Sequence, residues 1–280
     1  MTTQLQKKVD AAQYLLQAVA KKRDDIELAY SGGKDSDVIL ELARMSGIPF
    51  TPMYRNTTID PPGTIKHVIS NGVEIVRSRE TFFRLIERKG FPSRTARFCC
   101  DYLKEYKIRD TCIVGIRREE SVKRAANYRE PEICRIYPHG GKVSQVLPIL
   151  DWTLEDVREF VEARNIRLHP KYYRADGTID YTRRLGCMAC PLAFHNGLND
   201  FIAHPKLVRA WLHAGLVWWN REREKPMVSH SRFSNIYECF AFHIAWDSRR
   251  HFTLNKDALF PTDWKSVLEE TFGIDLTFNK

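Results

Sequence analysis

Residues 31–36, Ser-Gly-Gly-Lys-Asp-Ser, combine the residue types that bind phosphate groups. They follow a short apolar run, residues 26–30, and precede a helical pattern, residues 38–45, so the order predicts a strand, a glycine turn and a helix. Adjacent glycines let the backbone turn tightly and direct several N–H groups at one point, beside the positive end of the helix. The hydroxyl groups and the lysine ammonium add donors and positive charge. The predicted phosphate-binding residues are Ser31, Gly32, Gly33, Lys34, Asp35 and Ser36.

Two pairs of cysteines form a second set of residues that could do chemistry. Cys99 and Cys100 are adjacent, whereas Cys187 and Cys190 form a Cys-x-x-Cys turn. Such a turn places two thiolates about one metal, and a second pair elsewhere completes a four-thiolate site. Side chains of adjacent residues diverge, which suits the separate iron atoms of a cubane better than a single tetrahedral zinc. We therefore predict that all four ligate a [4Fe–4S] cluster; the alternatives are zinc and buried structural thiols.

The elements that position these residues alternate along the chain. Periodicity predicts helices over residues 5–23, 38–45, 64–70, 80–89, 100–108 and 153–164, and strands over residues 26–30, 50–54, 73–76, 111–116 and 146–149. This alternation predicts an α/β fold, a doubly wound parallel sheet with helices on both faces. Ligands of such sheets bind beyond the carboxyl ends of the strands, where the glycine turn and residues 55–60 and 115–121 are expected.

Arginine residues follow the strand predicted over residues 111–116. Arg117 and Arg124 carry planar forks of donors that suit phosphate, so both are candidate phosphate clamps, whereas Arg118 is as readily a solvated surface charge.

Strand patterns fade after Pro191 and aromatic residues accumulate. We expect residues 1–190 to form the nucleotide-binding domain with the four cysteines, and residues 191–280 to form a helical region packed on it. The aromatic residues are expected to be core rather than a base-stacking platform. They are Trp211, Trp218, Trp219, Phe233, Tyr237, Phe240, Phe242, Trp246 and Trp264.

Composition excludes disordered and membrane-spanning classes. Of 280 residues, 43% are hydrophobic and 28% charged, and no apolar run is as long as a membrane span. The start lacks the apolar region of a secretory signal, so a cytoplasmic protein is expected. The net charge of +9 lies mostly in residues 1–190 and suits a nucleotide or nucleic acid as ligand. An odd number of cysteines, seven, argues against a disulfide framework.

The remaining titratable residues receive no chemical role. Cys112 lies in an apolar strand and Cys134 in a polar loop. His195, His213 and His243 have no partners at metal-ligand or triad spacing and are taken as structural.

Several of these motifs resemble known families. The six residues of the glycine turn lack the four-residue glycine spacing of the Walker loop and resemble the PP-loop of ATP pyrophosphatases. The cysteine pairs resemble those of cluster-containing adenylyl-sulfate reductases in the phosphoadenosine phosphosulfate (PAPS) reductase family, and residues 56–62, 115–121, 148–153 and 168–173 also resemble that family. The resemblance covers about residues 26–192 and implies cleavage of ATP between its α and β phosphates. It adds Thr57, Thr58 and Gly115 to the nucleotide-binding residues.

Two chemistries compete within that resemblance. The reductases are expected to lack the loop lysine and to carry a C-terminal cysteine followed by Gly-x-His, whereas this chain keeps Lys34, and Cys239 is followed by phenylalanine and is interpreted as a core residue. We therefore predict an ATP pyrophosphatase with Lys34, Ser31 and Ser36 as catalytic residues and ATP, Mg²⁺ and the cluster as cofactors.

The predicted reaction activates an acceptor for sulfur transfer, as in DNA phosphorothioation, with nucleic acid as the candidate acceptor and a cysteine desulfurase as the candidate sulfur donor. The alternatives are a thioredoxin-dependent PAPS or adenylyl-sulfate reductase and a non-catalytic nucleotide-binding subunit of a modification complex.

Overall fold

The structure is a computed structural model. It describes residues 1–138, 141–193, 196–223, 233–245 and 262–278. Two residues considered above, His195 and Trp246, lie outside the described residues. The chain forms two compact units: the first comprises Met1–Ser78 and Asp101–Gly186, the second Arg79–Cys100 and Cys187–Lys280. The domain boundary expected at residue 190 stays a prediction.

Most predicted helices and strands have counterparts in the predicted order. The helix Val122–Asn127 and the strand Glu132–Tyr137 have no counterpart among the predictions, and the strand predicted over residues 111–116 ends at Ile113. The helices are α1 Thr3–Ala20, α2 Lys34–Ser46, α3 Thr64–Ser70, α4 Phe82–Lys89, α5 Phe98–Leu103, α6 Val122–Asn127, α7 Leu154–Ala163, α8 Asn196–Ala203, α9 Pro205–Arg223, α10 Ile236–Ala245 and α11 Trp264–Phe272. The strands are β1 Ile26–Tyr30, β2 Thr51–Asn56, β3 Glu74–Arg77, β4 Thr111–Ile113, β5 Glu132–Tyr137 and β6 Gly141–Val146. Short 3₁₀ helices cover Arg118–Glu120 and Pro170–Tyr172. None of these helices is long and apolar enough to cross a membrane.

The six strands of the first unit form one sheet in the order β3-β2-β1-β4-β6-β5. Every neighbouring pair is parallel except β5 and β6, which are antiparallel. The predicted α/β class is therefore confirmed. The sequence predicts a parallel sheet, and the sheet differs from this at one edge, where β5 is antiparallel to β6. Only residues 138–140 connect β5 to β6, and a connection this short joins antiparallel strands but cannot carry a parallel crossover.

Two sequence predictions near this edge are wrong. The strand predicted over residues 146–149 ends at Val146, because Pro148 lacks the N–H that a continuing ladder needs. Cys134, assigned to a loop, lies exposed in β5. Its segment alternates weakly in polarity because most side chains of this edge strand are exposed.

The core of the first unit covers one face of the sheet. Alternate residues of β1, Ile26, Leu28 and Tyr30, are buried in one apolar cluster together with side chains of α1, α2 and α7. The apolar stripe predicted along α1 is buried throughout and comprises Leu5, Val9, Ala12, Leu16 and Val19. Hydrophobic burial therefore fixes α2, and with it the loop that precedes α2, against the sheet.

The opposite face of β1 carries a buried ion pair. Glu27 is fully buried, and its Oε2 accepts a hydrogen bond from Arg55 Nη2 on β2 at 2.9 Å. Arg55 also donates to the carbonyl oxygens of Tyr106 and Lys107, at 2.9 and 2.7 Å. All three nitrogens of the guanidinium therefore donate to protein oxygens, since Nη1 also bonds to Glu27. The pair thus connects β1 and β2 to the chain that leads into β4.

The second unit contains the aromatic residues that the sequence assigns to a core. Trp211 and Phe240 are buried, and Phe91 stacks on Trp211 with ring centroids 6.0 Å apart. Phe201 meets both Trp211 and Phe240 edge to face, at 5.4 and 5.5 Å. Such contacts between rings stabilise a core, which supports that interpretation over a base-stacking surface.

We predict that Glu27→Gln lowers the free energy of unfolding by about 3–5 kcal/mol, because it leaves a buried guanidinium without its counter-charge. Urea unfolding, followed by circular dichroism, measures the loss. The matched control is Glu162→Gln, since Glu162 pairs with Arg158 where both side chains are more than half exposed, and such a pair contributes about 1 kcal/mol or less. Equal losses in the two variants would contradict the prediction.

Candidate functional site

The sheet changes direction between β1 and β4. The chain runs from β1 outward through β2 to β3 and then returns to place β4 on the other side of β1. The carboxyl ends of β1 and β4 therefore diverge into a crevice, the position where open α/β sheets bind ligands. A cavity of about 340 Å³ lies there, within the first unit. Its polar lining includes Ser31, Lys34, Asp35, Ser36, Asp60, Thr64, Lys104, Glu120, Arg124, Tyr172 and Arg184.

The glycine turn, residues 31–36, is named the phosphate loop here after its predicted ligand, and it leads from β1 into α2 at the wall of the cavity. Gly32 adopts φ +76°, which disfavours any residue with a side chain, and a Cβ there would lie 3.2 Å from Leu185. Ser36 Oγ donates to the Gly33 carbonyl at 2.7 Å, and Ser31 Oγ lies 3.2 Å from Ser36 Oγ. The two hydroxyls therefore lie next to each other where the loop enters α2.

Lys34 is held at the wall of the cavity. Its side chain is 5% exposed, its Nζ lies 3.3 Å from Asp35 Oδ2, and it stands 5.7 Å above the Tyr172 ring. Burial lowers the pKa of Lys34, while the Asp35 carboxylate acts in the opposite direction. The Lys34 N–H donates to the Tyr172 hydroxyl at 3.0 Å, so Tyr172 fixes the backbone of the loop as well. An ammonium so positioned can bind a phosphate without first losing much conformational freedom.

Arg117 does not line the cavity. Its guanidinium is buried, with Nε 2.7 Å from Asp35 Oδ1 and Nη1 2.7 Å from Glu119 Oε2. The predicted phosphate clamp therefore occupies a positioning role: it joins the chain after β4 to the first turn of α2. Gly115 lies in the same contact, since a Cβ at that residue would come within 2.9 Å of the Asp35 carbonyl oxygen.

Arg124 does line the cavity, beside two cations that received no role from the sequence. Arg124 forms an ion pair with Glu120, and Arg184 Nη2 lies 3.3 Å from Glu120 Oε1. Lys104 lies in the same lining. The cavity therefore combines several positive side chains, which suits a polyanionic ligand.

The two predicted threonines do not reach the cavity. Thr57 is buried, and its N–H donates to Asp60 Oδ2 at 3.0 Å, while the Thr58 N–H donates to Asn56 Oδ1 at 2.8 Å in a left-handed conformation, φ +61°. These bonds shape the turn after β2, and it is Asp60 that lines the cavity.

A buried polar network beneath the loop was absent from the sequence predictions. His67 Nε2 lies 3.0 and 3.1 Å from the two carboxylate oxygens of Asp37, which also accepts the Tyr30 hydroxyl. Burial raises the pKa of Asp37, and hydrogen bonds from His67 and Tyr30 oppose that shift. The network connects Asp37, the residue directly after the phosphate loop, to α3.

His169 lies next to this network, with its ring centroid 5.7 Å from that of His67. Its Nδ1 accepts the Lys171 N–H at 3.0 Å, and its Nε2 lies 3.2 Å from Thr64 Oγ1, a hydroxyl that donates to the Pro61 carbonyl. Because Nδ1 accepts a hydrogen bond, the ring proton of His169 is assigned to Nε2, which donates to the Thr64 hydroxyl. Burial lowers the pKa of His169 to about 4, so the ring is neutral at pH 7.

The sequence held partial signals for the missed residues. Tyr172 and His169 lie in the segment 168–173 that resembles the PAPS reductase family, and Arg184 belongs to an arginine pair just before the Cys-x-x-Cys turn. Their assignment required the tertiary contacts, because nothing local shows that residues 169–185 reach the loop at 31–36.

The four predicted cluster cysteines all belong to the second unit. A hydrogen bond with Cys100, burial, and the charges of Cys100, Cys187 and Cys190 raise the pKa of Cys99. The Cys-x-x-Cys turn places Ala189 at φ +52°, and the Ala189 N–H donates to Asp200 Oδ2 at 2.8 Å. Over the described ranges, no three or more His, Cys, Asp or Glu side chains surround a position for one metal ion.

Three cysteines lie apart from this group. Cys112 is buried in β4, as expected, and Cys134 is exposed. Cys239 is buried in α10, where it packs as the core residue that the sequence predicts.

The sequence of this chain is similar to a known domain family and to several known proteins. The phosphoadenosine phosphosulfate reductase domain family matches residues 25–193. An uncharacterized protein of Methanocaldococcus jannaschii is 24% identical over 249 residues, 77% of this chain and 50% of that protein. Sulfate adenylyltransferase subunit 2 of Halorhodospira halophila is 25% identical over 198 residues, 58% of this chain and 64% of that protein. This chain thus spans about half to two thirds of the length of these relatives.

Among solved structures, FMN adenylyltransferase of Candida glabrata in complex with FMN and an ATP analogue aligns with a TM-score of 0.42 and 16% identity. The alignment covers 63% of this chain and 62% of that one.

We predict that Arg117 acts on nucleotide affinity through Asp35. Arg117→Lys and Asp35→Asn should each weaken ATP binding by about 1–3 kcal/mol, since each removes a charge-assisted hydrogen bond. The double variant should lose little more than either single one, because both changes break the same contact. Calorimetric titration with ATP measures the four affinities. Arg118→Lys is the control, since Arg118 pairs with the exposed Asp151. Additive losses would show that Arg117 and Asp35 act independently.

Proposed function

Because the chain belongs to the phosphoadenosine phosphosulfate reductase domain family, we propose that it is an ATP pyrophosphatase that adenylylates an acceptor oxygen for sulfur transfer. The observation that carries the proposal is the buried ammonium of Lys34 at the wall of the cavity, next to two serine hydroxyls. Stabilising a departing pyrophosphate needs a fixed positive charge of this kind.

The proposed reaction is an in-line displacement at the α-phosphorus of ATP. The acceptor oxygen forms a bond to that phosphorus, the bond from phosphorus to the α–β bridging oxygen breaks, and pyrophosphate leaves with the electron pair. Lys34 and Arg124 would stabilise the charge that grows on the β and γ phosphates, and Ser31 and Ser36 would donate hydrogen bonds to their oxygens. Hydrosulfide from the sulfur donor would then attack the activated atom of the acceptor, and the bond to sulfur forms as the bond to the AMP oxygen breaks and AMP leaves with the electron pair.

Magnesium is expected on the phosphate oxygens of ATP, where it would neutralise part of their charge. In the part of the chain that the structure describes, no cluster of carboxylates offers the ion a site of its own. The protein's contribution to the phosphates is therefore assigned to its hydroxyl, ammonium and guanidinium groups.

The family also contains reductases, and Cys239 bears on that alternative. A cysteine that attacks the sulfur of PAPS or adenylyl sulfate must reach the substrate as a thiolate, and reactive cysteines are accessible ones. Cys239 is 9% exposed within α10. Its burial supports ATP activation over sulfonucleotide reduction.

The proposed acceptor is an anion, and two kinds of anion are candidates. The basic cavity supports an anionic acceptor, and relatives named sulfate adenylyltransferase subunit 2 support sulfate beside nucleic acid. A nucleotide-binding subunit without catalysis would bind ATP tightly and release no pyrophosphate.

We propose further that Cys99, Cys100, Cys187 and Cys190 hold a [4Fe–4S] cluster. Their placement in one unit and their spacing in the sequence support this assignment. Such a cluster supplies electron transfer or a structural link when it is bound.

We expect Lys34→Ala to lower the rate of pyrophosphate release a hundredfold or more, because Lys34 acts on charge that develops in the transition state. One anaerobic preparation is assayed for pyrophosphate from ATP and for sulfite from PAPS and adenylyl sulfate with thioredoxin, with nucleic acid or sulfate added or omitted. Lys22→Ala, at an exposed lysine, is the control. Sulfite formation without pyrophosphate, dependent on Cys239, would establish the reductase instead.

Iron and sulfide analysis of anaerobically purified protein should give about four of each per chain, and the protein should be brown. Changing any of the four cysteines to serine should remove the colour and lower the thermal midpoint, because metal binding contributes to folding. Cys134→Ser, at the exposed cysteine of β5, should change neither. A colourless protein with one zinc per chain would refute the assignment.

A further inference from the structure

Glu120 stands between two arginines in the lining of the cavity. It forms an ion pair with Arg124, one helical turn further along the chain, and its Oε1 lies 3.3 Å from Arg184 Nη2. Arg184 also approaches the main-chain oxygen of Glu120, at 3.4 Å. The glutamate side chain is only 10% exposed, so its carboxylate fills the space between the two guanidinium groups.

The backbone holds the carboxylate at this position. Glu120 ends the 3₁₀ helix Arg118–Glu120, and its Oε2 accepts the Arg117 N–H at 3.3 Å. Arg117 is in turn fixed to Asp35 at the start of α2. Glu120 is therefore placed by the same contacts that place the phosphate loop.

Electrostatics explains why a carboxylate is needed there. Burial lowers the pKa of Arg124, and the neighbouring positive charge of Arg184 lowers it further. Two guanidinium groups that face one cavity repel each other unless an anion lies between them. The other carboxylates of the lining are engaged elsewhere, Asp35 with Arg117 and Asp60 with the Thr57 N–H.

We propose that Glu120 is an internal counter-anion, which occupies an oxyanion subsite formed by Arg124 and Arg184 and yields it when a phosphate-type ligand enters. A carboxylate and a phosphate present similar oxygen pairs to a guanidinium fork, so they compete for the same donors. An incoming oxyanion has to replace the contacts of Glu120 with the two arginines, so anions of high charge bind more tightly than chloride or a monocarboxylate. The inference uses the cavity of the proposed function but does not depend on cleavage of ATP.

The test uses inorganic pyrophosphate and inorganic phosphate as probes of the full chain. Glu120→Gln keeps the shape of the side chain and removes its charge. We expect the thermal midpoint without ligand to fall, because the two arginines lose their counter-charge. We expect the dissociation constant for pyrophosphate, measured by calorimetry, to decrease by about threefold or more, the range for loss of a partly exposed competing ion pair. The protection by pyrophosphate in thermal unfolding should increase correspondingly.

Two further variants make the result specific. Glu162→Gln removes a carboxylate from an exposed pair with Arg158 and should leave pyrophosphate affinity unchanged. Combining Glu120→Gln with Arg184→Gln should abolish the gain, because the subsite has then lost one of its arginines. If Glu120→Gln does not fold, Glu120→Asp retracts the carboxylate by one methylene, and tighter pyrophosphate binding by that variant supports the proposal.

A purely structural role for Glu120 gives the opposite result. Pyrophosphate affinity would then fall or stay the same while stability falls, and this outcome would overturn the proposal. Failure of the proposed function is distinguishable, since a protein that binds pyrophosphate as expected but releases none from ATP refutes only the cleavage reaction.

Discussion

The contact between the chain leaving β4 and the first turn of α2 is the constraint on which the site depends. Gly115 leaves no room for a side chain against the Asp35 carbonyl, and the buried Arg117 then pairs with the Asp35 carboxylate. This contact aligns two loops that leave neighbouring strands at the switch point of the sheet. Arg117 also pairs with Glu119, whose carboxylate accepts the Leu154 N–H at the start of α7. Sheet order alone would bring these loops near each other without fixing their register.

The first unit buries many charged and polar groups around this contact. The pair of Glu27 and Arg55 joins β1 to β2, and the pair of Asp37 and His67 joins α2 to α3. In each pair the two side chains are hydrogen-bonded to each other. Buried pairs add little net stability, because desolvation opposes their attraction. The apolar cluster under α1, α2 and α7 supplies the stabilisation instead. The polar pairs then serve to fix geometry, which suits a site whose donors must be in place before a ligand arrives.

The second unit combines two segments that are distant in the sequence, and each carries one pair of cysteines. Its first segment carries Cys99 and Cys100, and its second begins at Cys187. Aromatic contacts such as that between Phe91 and Trp211 join the same two segments. Packing of large rings therefore holds together the two segments that carry the four cysteines.

The sequence by itself determined the α/β class and the strand, glycine turn and helix around residues 31–36, because these rest on local spacing that the backbone converts directly into secondary structure. It also indicated that Cys239 is a core residue. Only the tertiary structure showed which charged groups Arg117, Glu120 and Arg184 contact. A guanidinium binds whichever anion lies nearest, and the nearest one to Arg117 is Asp35, 82 residues earlier in the chain. Long-range pairing of this kind leaves no local pattern, so motif spacing predicted a phosphate ligand where the fold supplies a carboxylate.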